Sequence, residues 1–236
     1  MSPVLLIAAN FLREQRWLTL VLVLYAVGMA ALFGLSEKQV SAEDAVFFLR
    51  QQSLYAPLFS LFLAVSAIHN ERKSRRILAV LSKALTRRQY IAGLLAGILA
   101  VLGAYCLAIG IAGAWLVRSA HASLEQLWIL LGMTVVTSVL VSAVAMFFST
   151  FLTPLFATAA TALAVALPAA LEQVLGRGWG NLLPVYSLVA QVSEATLAHH
   201  VAADWRPPGI AVVETLLFWA LASWIFAGRD ITAAVE

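Results

Sequence analysis

The sequence predicts an all-α integral membrane protein. It has six transmembrane helices, a short interfacial helix ahead of them, and an amphipathic helix in a basic loop between the second and third spans. Three observations lead there. Of the 236 residues, 62% are hydrophobic and only 11% are charged, whereas a soluble domain carries about 25% charged residues. The apolar residues fall into six runs nearly free of charge, each close to or above the roughly 20 residues that cross about 30 Å of hydrocarbon. Seven of the fifteen Lys and Arg gather in one loop.

A mean hydropathy of +0.92 and seven Trp exclude the water-soluble class, and a chain this apolar does not stay disordered. The lone Cys106 excludes a disulfide framework and a Cys-based metal cluster. The chain contains no G-x-x-x-x-G-K-[ST], G-x-S-x-G, H-E-x-x-H or C-x-x-C. No catalytic motif, metal site or cofactor site of its own is therefore expected, and the chain is not read as an enzyme.

The elements follow in order. In residues 1–16, Ser2 suits an N-cap and Pro3 the first helical position, where a missing N–H costs nothing. Val4, Ile7, Ala8 and Phe11 share one side, with Asn10, Arg13 and Arg16 on another, while Leu6 breaks the pattern. The expectation is a helix lying in the interface; a first helix protruding into the cytosol is the alternative. The spans are 17–35, 53–69, 90–117, 127–150, 154–171 and 209–228. The third is about 42 Å long at 1.5 Å per residue, so it must tilt or protrude. Gly28–Ala31 offers small residues for signal cleavage, but the run continues to Leu35 after a long leader, which favours an uncleaved helix. Residues 172–208 form an external loop. Within it, 182–192 is apolar but too short to span and contains Pro184, so it reads as an interfacial or re-entrant piece.

Lys and Arg set the orientation. With the N-terminus inside, Arg13, Arg16, Arg72, Lys73, Arg75, Arg76, Lys83, Arg87, Arg88 and Arg229 are cytoplasmic. Lys38, Arg50, Arg118, Arg177 and Arg206 are external. Both termini are expected in the cytoplasm.

The segment 71–90 reads ERKSRRILAVLSKALTRRQY. As a helix over 71–82, it places Ile77, Leu78 and Leu81 within about 100° of arc, with Arg72, Arg75 and Arg76 opposite. Thr86 and Gln89 are spaced as a capping box, which starts the third span as a new helix. Cations alone would serve topology or anionic headgroups. An apolar ridge and a second helix start suit a protein contact.

This segment resembles the loop between the second and third spans of type-2 ABC exporter permeases, which runs roughly E-R-x-x-G-T-L-x-x-L-L-x-x-P-x-S-R. Laid on it without gaps, Glu71 and Arg72 match the opening. Ile77 takes the place of the first Leu, Val80 and Leu81 that of the Leu pair, and Thr86 and Arg87 that of the closing Ser-Arg. The chain departs at Arg75 and Arg76, where the family has Gly-Thr, and at Ala84, where it has Pro. Six spans, Arg13-Glu14-Gln15-Arg16 near the N-terminus and a last span ending in Arg229-Asp230 are also similar.

The resemblance implies that 71–82 is a coupling helix seated in a groove of a cytoplasmic ABC ATPase subunit. Ile77, Leu78 and Leu81 would pack there, inside a polar rim of Glu71, Arg72, Arg75 and Arg76. Two ATPase copies carrying ATP and Mg would pair with two permease chains, expected as a homodimer, in a bacterial cytoplasmic (inner) membrane. The transport direction would be export. In resembling proteins spans two and five line the route, which points to Ser60, Ser66, Thr158 and Thr161. These are mild hydroxyls and the runs hold almost no ionisable group, so the cargo is expected to be lipophilic or amphiphilic. The alternative output is motion passed to an extracytoplasmic partner. Lipid is the remaining partner, and nucleic acid is not among those expected.

Glu214 is the exception within the spans, about one and a half turns into the last. It is either a substrate or proton contact, or a shallow carboxyl bonded to a neighbour, Arg206 or Arg177. His199 and His200 lack a third ligand at a convincing spacing. His69 sits at the boundary of span two, and Cys106 reads as a packing residue. Gly93 and Gly97 form a G-x-x-x-G that suits packing inside one bundle more than dimerisation. Two rival classes remain. A non-transporting membrane scaffold or assembly factor leaves the amphipathic loop unexplained. An ion-coupled secondary carrier has only Glu214 and Pro168 in its favour.

Overall fold

A computed structural model describes residues 2–36, 41–73, 86–121, 123–175, 179–194 and 204–228. Among these residues the chain is helical throughout, without strands. The helices are α1 (Pro3–Glu14), α2 (Arg16–Ser36), α3 (Ala42–Lys73), α4 (Arg87–Ser119), α5 (Leu124–Ser149), α6 (Pro154–Leu175), α7 (Val185–Glu194) and α8 (Arg206–Gly228). A single 3-10 turn, Trp179–Leu182, precedes α7. Six of the helices, α2 to α6 and α8, are long and apolar enough to cross a membrane. This accords with an all-α integral membrane protein of six spans.

Local chemistry moves several boundaries from their sequence-based positions. The second span was expected to begin at 53, yet α3 begins at Ala42. Ser41 Oγ accepts from Asp44 N–H at 3.1 Å while Asp44 Oδ2 accepts from Ser41 N–H at 3.0 Å. This reciprocal cap makes 43–52, which holds Glu43, Asp44 and Arg50 beside the buried Ala45, Phe48 and Leu49, the helix's first turns rather than a loop. The last span starts at Arg206 rather than 209, because Pro207 and Pro208 sit in the first turn, where no intrahelical donor is lost. In α6 the helix runs on to Leu175, through Glu172 and Gln173, both good helix formers. The loop expected over 172–208 therefore gives its two ends to spans.

The helix α5 is the axis of the bundle. It packs against α3, α4, α6, α7 and α8, and Leu127, Leu140, Val144 and Ala145 are fully buried on it. Its polar residues do not break the core. Thr134, Thr137, Ser138 and Ser142 each donate to the carbonyl one turn back, at 2.8 to 3.0 Å, so no hydroxyl proton among them goes unpaired in a region without water.

Around that axis, α1 lies along the first turns of α4. A Cβ on Gly93 would stand 2.6 Å from Ile7 Cβ, and one on Gly97 would stand 2.8 Å from Phe11 Cβ. The G-x-x-x-G thus serves packing inside the bundle, and the apolar side of α1 read from its periodicity meets protein. Gly110 similarly lets Trp128 of α5 approach α4. Tyr90 at the start of α4 stacks on Phe226 near the end of α8, with centroids 6.2 Å apart.

The segment expected to be interfacial, 182–192, holds α7. Val185, Leu188 and Val192 are buried where α7 meets α5, α3 and α6. The outward faces are apolar too: Leu20, Val21 and Leu24 on α2, Leu155, Phe156 and Leu163 on α6, and Val212, Val213 and Leu216 on α8 are exposed. Such faces suit lipid rather than water.

Candidate functional site

Three places carry chemistry. The first is a groove of about 640 Å³ between α3, α6 and α7. Leu54, Tyr55, Pro57, Leu58 and Leu61 form one wall and Ala162, Val165, Ala166 and Ala169 the other. Val141 lies at its floor, and Val185, Tyr186 and Val189 complete it. The small alanines of α6 leave the space open, and Pro57 removes a backbone donor from the middle of α3. Two tyrosines are its polar members, so it suits a hydrocarbon chain or an aromatic group.

The route candidates lie on the same two helices but not in these walls. Ser60 and Thr161 are fully buried, and Ser66 and Thr158 are half-buried. Each hydroxyl donates to a carbonyl of its own helix, at 2.7 Å for Ser60, 3.1 Å for Ser66, 2.9 Å for Thr158 and 2.8 Å for Thr161. Their protons are already engaged.

The second place is a cluster of amides and phenols that single-sequence reasoning does not single out. Tyr105 of α4, fully buried, donates to Gln52 Oε1 of α3 at 2.5 Å. One residue earlier, Gln51 Nε2 donates to the Tyr55 hydroxyl at 3.2 Å. The Tyr55 ring meets Tyr25 of α2 edge-on, with centroids 5.9 Å apart, and Phe59 fills the gap to Tyr105 at 5.7 Å. Gln52 Nε2 and Gln51 Oε1 are buried without hydrogen-bond partners. The cluster ties α2, α3 and α4 together, and through Tyr55 it reaches the groove wall.

The third place is the start of α4. Gln89 N–H donates to Thr86 Oγ1 at 3.3 Å and Thr86 N–H to Gln89 Oε1 at 3.2 Å, the capping box that the sequence spacing predicts. On the approaching side α3 stays helical through Lys73, so Glu71 and Arg72 close the second long helix. Arg75, Arg76, Ile77, Leu78 and Leu81, and with them most of the expected coupling helix over 71–82, lie outside the described residues. The same holds for Arg177, His199 and His200.

Glu214 is the ninth residue of α8, about 12 Å from its start at 1.5 Å per residue. This is deeper than the sequence reading placed it, because α8 begins earlier. Ala211, Ala222 and Phe226 mark the buried stripe of α8, and Glu214, half-buried, lies at its edge. Its Oε2 is buried without a hydrogen-bond partner. Among the described residues no group of three or more His, Cys, Asp or Glu could hold a metal ion, and Cys106 is a free buried thiol.

Comparison with protein-family models finds no match for the chain, and comparison with curated proteins finds no relative.

Proposed function

We propose that this chain is the membrane-embedded permease subunit of an ABC transporter. In this reading, ATP hydrolysis on a separate cytoplasmic subunit drives export of a lipophilic or amphiphilic substrate, or motion passed to an extracytoplasmic partner. The observation that carries the reading is the capped restart at Thr86 and Gln89. It sits where the loop pattern of type-2 exporter permeases closes with Ser-Arg, and it marks α4 as a newly started helix. Six apolar helices and an α1 docked beside the first turns of α4 agree with that architecture. The apolar groove between the second and fifth spans gives a lipophilic cargo a place to lie.

Two permease chains and two ATPase chains, bearing ATP and Mg, would make the transporter. Closure of the ATPase pair would move the coupling helices, and the spans would follow as near-rigid bodies. The test is co-purification in mild detergent, with ATP hydrolysis assayed. The wild-type chain is expected to bring down a stoichiometric ATPase, and the pair Leu78→Asp and Leu81→Asp to lose it. Unchanged association would overturn the reading.

Glu214 favours a second reading, an ion-coupled carrier, because a carboxyl with an unpartnered oxygen inside a span is costly unless it is used. In that case transport persists without any ATPase and is abolished by Glu214→Gln.

A further inference from the structure

We infer that the cleft between α5 and the start of α8 is a binding site for a lipophilic quaternary ammonium cation. The cleft has a volume of about 480 Å³. Glu125, Trp128, Ile129, Gly132, Met133 and Val136 of α5 line one side, with Trp205 and Pro208 opposite. The α5 positions recur at three and four residues, which is one face of a helix. The eleven residue steps from Glu125 to Val136 span about 16 Å at 1.5 Å per residue. The cleft therefore runs down the side of α5 and does not sit on the helix end.

Its two ends differ in chemistry. At the mouth, Trp128 and Trp205 approach from opposite sides and Glu125 adds an exposed carboxylate. Trp128 is 51% exposed and Trp205 66%, so packing leaves ring surface free on both. Each is nonetheless held. The tip of the Trp128 ring sits in the notch left by Gly110, where a Cβ would stand 2.9 Å from Cη2. The Trp205 carbonyl accepts from Gly209 N–H at 3.2 Å, which fixes its backbone to the first turn of α8. The inner end is apolar, formed by Ile129, Met133 and Val136 around Gly132. A Cβ on Gly132 meets nothing within 4 Å, so that end is open.

Each residue has an ordinary use alone, since a first-turn carboxylate offsets the helix dipole and Trp suits the membrane interface. Together they make a cation site. Indole faces attract a cation, and a carboxylate beside them supplies the counter-charge. Among the described residues the lining holds no Lys or Arg to pair with Glu125. The adjacent Asp204 and Arg206 are of opposite sign, and Arg206 N–H donates to Asp204 Oδ1 at 3.0 Å, so Glu125 sets the local charge. A primary ammonium brings three N–H donors, and a single carboxylate leaves part of that demand unmet. A quaternary ammonium has no N–H, and its methyl groups lie well on indole. A hydrocarbon chain attached to it continues along Ile129, Met133 and Val136. A head that also carries a phosphate would bring negative charge against Glu125. The site does not depend on the transport reading.

The test uses the full chain in dodecyl maltoside, with radiolabelled decyltrimethylammonium as the probe and binding counted by scintillation proximity. Saturable binding is expected. Decyldimethylphosphine oxide, a neutral head of similar size, should compete about tenfold less well than unlabelled probe. Trp128→Leu, Trp205→Leu and Glu125→Gln should each weaken binding about threefold to tenfold. Gly132→Leu fills the open inner end and should abolish it. Trp224→Leu, at an exposed Trp near the far end of α8, should leave it unchanged. Should Trp128→Leu not fold, Trp205→Leu and Glu125→Gln at exposed positions give the same readout. Absence of saturable binding, equal competition by the neutral head, or binding that Glu125→Gln and Trp205→Leu leave intact overturns the site. Phosphatidylcholine that displaces the probe as well as unlabelled probe does would give the cleft to lipid. A dimer that Gly132→Leu dissociates would give it to a second copy of the chain, and either result also overturns the proposal.

Discussion

Gln52 and Tyr105 bear on stability through what they leave unpaired. The Tyr105 hydroxyl is the partner of Gln52 Oε1, and Gln52 Nε2 already has none. Tyr105→Phe therefore leaves Gln52 Oε1 buried without its donor, and it should cost about 1–2 kcal/mol, the range of an interhelical hydrogen bond in model membranes. Adding Gln52→Leu removes the orphan, so the double variant should unfold closer to wild type than Tyr105→Phe does. Thermal unfolding in one detergent checks this; a double variant worse than either single would refute the account. The glycines give a second contrast. Gly93→Ala puts a methyl group 2.6 Å from Ile7 Cβ and should destabilise by about 1–3 kcal/mol through overpacking. Gly103→Ala meets nothing within 4 Å and should be neutral or stabilising by up to about 1 kcal/mol. The same melts distinguish the two. The G-x-x-x-G was legible in the sequence because small residues at that spacing have one dominant use. The amide–phenol cluster was not, since its two central members stand 53 residues apart and a Gln pair near a span end carries no local signal.

At the scale of elements, the capped helix starts show what local sequence can decide. Ser2 accepts from Leu5 N–H ahead of Pro3, and Thr86 and Gln89 exchange their bonds, as the residue types and spacings predict. The same logic was available at Ser41 and Asp44. Charge density there made the stretch read as loop, although a carboxylate three residues after a serine in a first turn stabilises a helix. Helix α7 escaped for a different reason. Ten residues are too few to span, and an apolar stripe alone does not tell a lipid surface from a groove between helices. Thr86→Ala removes one side of the capping box and should cost about 1 kcal/mol. The loss should be local, as faster hydrogen exchange at Gln89 and Tyr90 with little change at Ile98 or Leu102 in the buried middle of α4. If the proposed coupling mechanism holds, the same variant should also weaken ATPase association, because the loop would lose its fixed hinge. Uniform protection along α4 would show that tertiary contacts, not the cap, hold the restart.

For the whole molecule, the arrangement of six spans fixes which surfaces share a side. An even number returns the chain to its starting side, so α1, the segment 74–85 and the α5–α6 turn belong together. The α2–α3 and α4–α5 connections and the α7 region belong to the other side. On the Lys and Arg distribution, the first group is expected in the cytoplasm. Packing adds its own constraint, because Gly93 and Gly97 of α4 seat α1 at the end where the basic segment enters. An external α1 would then carry that segment outside with it. The prediction uses a background in which the only cysteine, the buried Cys106, is replaced by Ala. Membrane-impermeant maleimide on intact cells should label Ser41→Cys and Ser119→Cys, both exposed positions, within minutes. Asn10→Cys and Lys83→Cys should react only after permeabilisation. The reverse pattern would place the basic loop outside, beyond reach of any cytoplasmic ATPase, and would remove the proposed function while leaving the bundle itself intact. Labelling of all four from outside would contradict the six spans. Labelling on the predicted sides would put the Lys73 end of α3 on the side of a cytoplasmic partner, while the same helix, a single run from Ala42 to Lys73, forms one wall of the apolar groove.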